Sequence, residues 1–196
     1  MMIDALEAVQ LGGITQWIRI RGTETNPVLL LMQLGPGLPI INETRRFERL
    51  LGLEHAFTVV YWDQRGTGLS LRESNAEIST ARMISDTVSL LELLRGRFDG
   101  KTFVAGFSFG ATFAAQAAVQ RPDLVAALIA TGMDIDIPLS EDRTYDFVLN
   151  TPASAATGAR SGSWKRPALP QPRRETVLHP GPLGVQLRRR QDQREL

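Results

Sequence analysis

The sequence alternates short apolar runs with helical stretches, and this alternation limits the possible folds more than any other feature. Apolar runs that predict strands cover residues 16–21, 27–32, 58–62, 102–105 and 125–131. Helices are predicted over residues 80–94 and 111–120, and the first has a predicted apolar stripe of Ile84, Val88 and Leu91 leading to Arg95, with Met83 and Leu94 beside it. The β-α-β-α-β order is typical of an α/β fold, with a mostly parallel sheet and helices on both faces.

A turn with the pattern G-x-S-x-G follows one predicted strand and precedes a predicted helix. Gly106 and Gly110 flank Ser108 at the spacing that lets strand and helix pass closely, so that the serine is exposed on a sharp turn. We predict that Ser108 is a nucleophile and that the Phe109 amide, at the helix start, is an oxyanion donor. The structural alternative is a serine that caps the helix.

A glycine- and proline-containing loop, residues 33–37, follows the predicted strand 27–32. The second oxyanion donor of such a fold comes from a loop in this position, and we predict the Gly35 amide in that role. Taken alone, the loop favours an ordinary Pro-Gly turn, and it is the serine turn further along the chain that favours the oxyanion role.

A further glycine-containing loop follows the strand at 58–62. Gly66 and Gly68 predict a compliant turn, and Asp63 and Arg65 are expected to pair with each other and brace it, so that the segment is scaffolding. A loop of spaced glycines can instead cradle phosphate, but this one lacks the lysine and the spacing of known phosphate-binding loops.

In this order and at these separations, the three segments resemble the proline iminopeptidase-like branch of the α/β-hydrolase superfamily. The family patterns are H-G-G-P-G, D-Q-R-G-x-G-x-S and G-x-S-W-G, and the second is complete here. The first departs at Gln33 and Leu34, which replace His and Gly, and the third has Phe109 in place of Trp. The resemblance extends over residues 12–150.

The resemblance implies a serine hydrolase that forms an acyl-enzyme and cleaves an N-terminal proline from a short peptide. A small amide or ester remains an alternative substrate, because fold and nucleophile do not choose one. Epoxide and haloalkane chemistry is disfavoured, since those relatives have Asp at the position of Ser108.

The Asp and His that such a serine needs after it in the chain are not recognisable. The histidines are His55, which precedes Ser108 and is expected in a surface turn, and His179, which lies in a proline-rich context. A second hypothesis is therefore a non-catalytic hydrolase fragment whose sheet ends on an open, aggregation-prone edge after residues 125–131. Little or no turnover is expected of the chain as it stands.

The chain changes character near Asn150. Residues 151–196 hold nine of the 22 Lys and Arg but three of the 21 Asp and Glu, and they lack apolar periodicity. We expect residues 1–150 to be the N-terminal part of a hydrolase core and residues 151–196 to be a disordered basic tail. A shifted reading frame would also explain the tail, and a basic arm for nucleic acid, with Arg173 and Arg188 among its contacts, is a further alternative.

Composition indicates a cellular location but does not identify a substrate. The chain has no cysteine, no apolar run long enough to span a membrane, and acidic residues near its start, so a cytoplasmic location is expected. Neither a metal nor an organic cofactor is implied. The expected partner is a small peptide or other small molecule, with no nucleic acid and no membrane, and the oligomeric state is open.

Overall fold

The computed structural model describes residues 1–35, 37–72 and 78–150. Its strands are β1 (Met2–Leu11), β2 (Ile14–Thr23), β3 (Val28–Leu31), β4 (Thr58–Asp63), β5 (Thr102–Phe107) and β6 (Val125–Thr131). Its α-helices are α1 (Thr44–Leu51), α2 (Thr80–Arg97), α3 (Phe109–Gln120) and α4 (Ile137–Asn150). Short 3-10 helices cover Ile41–Glu43, Leu53–His55 and Gly68–Arg72. The predictions made for residues 151–196 lie outside the described residues.

The six strands form one sheet in the order β1-β2-β4-β3-β5-β6. Strands β3 to β6 are parallel, whereas β1 pairs antiparallel with β2, and β2 antiparallel with β4. The predicted α/β fold is therefore confirmed. The β1–β2 hairpin was not predicted; it turns at Gly12 and Gly13, whose positive φ angles of 57° and 80° suit a two-residue hairpin turn.

The core has one layer on each face of the sheet. Leu30 packs with α2 and α3 on one face, whereas Leu29 and Leu31 pack beside Phe47 of α1 on the other. Alternate residues of β3 thus enter opposite layers, which explains why this strand is an unbroken apolar run. Helices cover both faces of the sheet, as predicted.

The predicted apolar stripe of α2 is wrong by part of a turn. The structure buries Met83, Leu90, Leu91 and Leu94 together with the polar residues Asp86 and Thr87. Ile84 and Val88 are only partly buried, and Arg95 is exposed. The stripe was misplaced because a buried carboxylate occupies the middle of the inward face, and helical spacing of apolar residues does not reveal it.

Candidate active site

Ser108 lies on a strained turn between β5 and α3. Its φ of +50° makes it the one described residue other than glycine with a positive φ, and its own amide donates to the Thr131 carbonyl at 2.8 Å. The side chain is exposed and makes no capping hydrogen bond to α3. The alternative interpretation as a helix-capping serine is therefore wrong, and the strain is of the kind that persists where function needs it.

The two glycines around Ser108 are required by close contacts. A Cβ atom on Gly106 would lie 2.6 Å from the Cα atom of Ala111, and one on Gly110 would lie 2.1 Å from the carbonyl oxygen of Gln33. Both distances are far below van der Waals contact, so no larger residue fits without backbone movement. Gly110 also shows that the start of α3 touches the loop after β3.

This contact brings the two predicted oxyanion segments together. Phe109 is the first residue of α3, so its amide belongs to the helix-start donors that have no partner within the helix. On the other segment, the Gly35 carbonyl accepts a hydrogen bond from Gln33 Nε2 at 2.8 Å, which ties down the peptide that follows Gly35. Leu34, where the family pattern has glycine, directs a half-exposed side chain to the rim of a neighbouring pocket.

Gln33 connects the Gly35 loop to the loop after β4. Its side chain is buried, and its Oε1 atom accepts from the Thr67 hydroxyl at 3.4 Å and from the Gln64 amide at 3.5 Å. This role of Gln33 was not predicted from the sequence, where the residue stands out only as a departure from a family pattern. A glutamine directly after an apolar strand could have indicated this role, since a side-chain amide buried there needs hydrogen-bond partners.

Asp63 also holds these two loops against each other. Its carboxylate is fully buried and accepts backbone N–H groups from Ile40 at 2.8 Å, Ile41 at 3.0 Å and Leu69 at 3.0 Å. The expected pairing of Asp63 with Arg65 is therefore wrong. Three backbone donors already satisfy the carboxylate, and Arg65 points to a different partner.

That partner is Asp86 of α2. Arg65 Nε donates to Asp86 Oδ2 at 2.5 Å and Arg65 Nη2 to Asp86 Oδ1 at 3.0 Å, and both side chains are buried. Gln16 donates to the same carboxylate at 2.7 Å and accepts from Trp62 Nε1 at 3.0 Å. The Arg65 side chain thus braces the loop, as scaffolding was expected to do, but through Asp86 and Gln16, whose roles were not predicted.

The loop that contains Gly66 and Gly68 folds back on itself and packs against Asp63. Both glycines have positive φ, 73° and 46°, and a Cβ atom on Gly68 would lie 2.1 Å from Asp63 Oδ2. The Thr67 amide donates to the Gln64 carbonyl, and the Leu69 amide to Asp63. Because these two amides are already used and the Asp63 carboxylate lies against Gly68, where it would repel an anion, the structure does not favour the phosphate-cradle alternative.

His55 lies at the opposite end of the sheet from Ser108. It is exposed in the 3-10 helix that leads into β4, whereas Ser108 follows the last residue of β5. Since β4 and β5 both run parallel to β3, the start of one and the end of the other are separated by roughly 20 Å, the length of a six-residue strand. His55 is thus excluded as the base for Ser108, and His179 lies outside the described residues.

A small apolar pocket opens beside the candidate site. It has a volume of about 30 Å³, room for about one water molecule, and none of its lining residues is charged. Its lining includes Leu34 from the Gly35 loop and Phe107, which directly precedes Ser108. Within the described parts of the chain, no group of three or more His, Asp or Glu side chains could hold a metal ion.

Comparison with known proteins identifies the family. The family model described as "Serine aminopeptidase, S33" matches residues 48–168, more than half of the chain. The chain belongs to this family. It is 37% identical over 150 residues to the "Probable aminopeptidase YbaC" of Bacillus subtilis (strain 168), a match that covers 74% of this chain and 46% of that protein. The chain therefore spans about half the length of the curated relative it matches.

Solved structures support the same fold. The proline iminopeptidase of Mycobacterium smegmatis is similar with a TM-score of 0.61 at 22% identity, over 76% of this chain and 50% of that one. A proline iminopeptidase-related protein from Thermus thermophilus gives a TM-score of 0.57 at 24% identity, over 70% of this chain and 47% of that one. The resemblance to the α/β-hydrolase superfamily is confirmed. In the described residues, no helix is both long and apolar enough to cross a membrane.

Proposed function

We propose that Ser108 is the nucleophile of a hydrolase that cleaves carbonyl compounds through an acyl-enzyme. The observation that carries the proposal is the positive φ of Ser108 between β5 and α3, combined with a side chain that caps nothing. Attack by Ser108 Oγ on a carbonyl carbon would place negative charge on the carbonyl oxygen, and the Phe109 and Gly35 amides would stabilise it. Collapse of this intermediate would break the bond to the amine or alcohol, which leaves with the proton that Ser108 gives up. Water would then hydrolyse the acyl-enzyme to the free acid and restore the Ser108 hydroxyl.

The proposed substrate is a short peptide with an N-terminal proline. Two comparisons support an aminopeptidase: the family model and the Bacillus subtilis relative, which is described as a probable aminopeptidase. The pocket beside Phe107 has an uncharged lining but holds only about one water molecule, so an apolar group such as a proline ring or a small ester would lie against its mouth rather than inside it. The proposed setting is the cytoplasm.

A non-catalytic hydrolase fragment is the second candidate, and one observation favours it. Serine is weak as a nucleophile without a base, and the histidine in the described residues lies at the far end of the sheet. Loss of the base costs several orders of magnitude in rate, because the members of a catalytic triad act as a unit. We therefore expect slow turnover unless a base comes from elsewhere.

The experiment is mass-spectrometric labelling of the folded, purified chain with a fluorophosphonate probe. Labelling at Ser108 that disappears in Ser108→Ala and persists in Ser140→Ala, an exposed serine of α4, would support the nucleophile. Hydrolysis of proline β-naphthylamide against that of a p-nitrophenyl ester would then separate the substrate classes. A folded chain that takes no label would contradict the enzyme proposal and leave the fragment.

A further inference from the structure

Gln33 contacts both of the backbone segments that lie beside Ser108. Its carbonyl oxygen lies against the start of α3, where a Cβ atom on Gly110 would come within 2.1 Å of it. Its side chain, only 2% exposed, reaches the Gly35 loop, where Nε2 donates to the Gly35 carbonyl at 2.8 Å. A single buried residue therefore links the helix start to the loop after β3.

Each of these two segments carries a backbone N–H with nothing to donate to. In the part of the chain that the structure describes, neither the Gly35 N–H nor the Phe109 N–H has an acceptor. The Gly35 carbonyl, by contrast, accepts twice, from Gln33 Nε2 at 2.8 Å and from the Leu38 amide at 3.4 Å. The bond from Leu38 is longer than usual, so the bond from Gln33 is the main anchor of the loop.

The hydrogen bond from Gln33 closes a ring onto the carbonyl two residues further along the chain. This ring contains the peptide group between residues 34 and 35, and therefore the Gly35 N–H. Glycine has an unusually free backbone, so the direction of this N–H would vary without the ring. The Oε1 atom of the same side chain faces the Gln64 amide at 3.5 Å, which leaves Nε2 to face Gly35.

We infer that Gln33 is a positioning residue that directs the Gly35 N–H toward the oxygen that becomes negative when Ser108 attacks. This role rests on the function proposed above. Gln33 itself would not touch the substrate and acts through Gly35. A donor whose direction is fixed before the reaction stabilises the developing charge without a cost of reorientation. The family pattern has histidine at this position, so the pattern itself does not predict this ring.

The first test measures how fast a fluorophosphonate probe labels Ser108. In this reaction Ser108 Oγ bonds to phosphorus, fluoride leaves, the serine proton passes to water, and the phosphoryl oxygen takes the place of the carbonyl oxygen. Gln33→Met keeps the length of the side chain and removes the N–H donor, and Gln33→Leu removes it in a second way. Each should lower kinact about 10- to 100-fold and change KI by less than about twofold, because the Gly35 N–H stabilises charge that forms only in the transition state.

Gln16→Met is the matched control for a lost buried amide. Gln16 is also fully buried, and its side chain donates to Asp86 and accepts from Trp62 without contacting the Gly35 loop. The control should lower the unfolding midpoint and leave kinact unchanged. A merely structural role of Gln33 would instead give the same result for both glutamines. Circular dichroism spectra establish that each variant is folded.

The second test does not depend on the reactivity of Ser108. NMR relaxation of labelled glycine amides gives the order parameter of the Gly35 N–H, whose signal is assigned by its loss in Gly35→Ala. We expect a value of about 0.85 in the wild type and in Gln16→Met, and below about 0.6 in Gln33→Met.

Four results would overturn the role of Gln33. They are a mobile Gly35 amide in the wild type, an equally ordered one in Gln33→Met, an unchanged kinact in folded Gln33→Met or Gln33→Leu, and an equal fall of kinact in Gln16→Met. A folded wild type that takes no label would overturn the proposed function, and with it this role. Labelling that is insensitive to Gln33 would overturn the role alone, so the two failures are distinguishable.

Discussion

Among the described residues β1 and β6 are the outermost strands of the sheet, and they are built in opposite ways. β1 alternates exposed and half-buried residues, and it places charges along its length, where Asp4 pairs with Arg19 and Glu7 with Arg97. β6 has no charge and exposes apolar side chains instead. A charged, partly covered edge discourages pairing with other strands, whereas an uncharged one invites it. β1 therefore has the composition of an edge strand, whereas β6 has the composition of a strand that is paired on both sides.

The difference extends inward from each edge. The β1–β2 hairpin rests on buried polar groups, because Arg65 Nη2 donates to the Gly12 carbonyl and a Cβ atom on Gly12 would lie 2.1 Å from Asp86 Oδ1. Beyond β6, α4 has no buried residue, and Phe147 is 71% exposed. Stability should therefore be concentrated between β1 and β5, and changes of the same kind should cost more there than at β6 and α4.

The largest contrast is expected at the buried ion pair. Asp86→Ala leaves the Arg65 guanidinium buried without this carboxylate and should lower the free energy of unfolding by about 3–5 kcal/mol. At the other edge, Ile129→Ala should lower it by less than about 0.5 kcal/mol for a monomeric chain, since little apolar surface is buried there. Urea unfolding followed by circular dichroism measures both. Equal losses would mean that β6 is as well supported as the β1–β2 hairpin.

An intermediate contrast is expected between two glycines. Gly110→Ala should cost about 3 kcal/mol because its Cβ meets the Gln33 carbonyl, which the backbone must move to relieve. Gly132→Ala, after β6, meets nothing within 4 Å but has a φ of +60°, so it should cost only about 1 kcal/mol of backbone strain. Thermal unfolding of the two variants compares them directly. A larger loss at Gly132 would contradict this assignment of close packing.

The smallest effect concerns Tyr61 of β4, whose hydroxyl donates to Glu54 Oε1 at 2.5 Å. Burial, and then the bond to Glu54, raise the pKa of Tyr61 above its ordinary value of 10.0. The unfolded chain therefore loses this proton first, and stability should fall as the pH rises above about 10. Tyr61→Phe should remove this part of the alkaline decline in unfolding midpoint, whereas Tyr145→Phe in α4 should retain it. An unchanged decline in Tyr61→Phe would show that other groups cause it.

Strands that are short apolar runs were predictable, whether buried as β3 is or largely exposed as β6 is, whereas several other elements were not. The predicted strand at 125–131 matches β6, and the strand at 27–32 contains β3. β1, α1 and α4 were missed. The inward set of β1 includes Glu7, which is tolerated because Arg97 of α2 pairs with it, so period-two alternation is weak. No residue of α4 is buried against the other described residues, so no stripe of buried apolar residues marks it as a helix in the sequence.

At the site, the backbone requirements were predictable and the side-chain partners were not. Gly106 and Gly110 were predicted from spacing, and the close contacts at both positions explain why. The partner of Arg65 was predicted wrongly, since Asp63 is its neighbour in the chain but Asp86 is its neighbour in space. Which carboxylate pairs with a buried arginine depends on how a distant helix packs, and local sequence holds no record of that packing.

The sequence by itself determined strands β2 to β6, helices α2 and α3, the turn that exposes Ser108 and the family, because each depends on local spacing of apolar residues and glycines. Only the tertiary structure decided that Gln33, Asp63 and Asp86 hold the surrounding loops, that His55 lies at the far end of the sheet, and that the two edges differ in protection. The physical reason is distance along the chain. Hydrogen bonds and ion pairs between residues tens of positions apart form only after the core has brought their elements together.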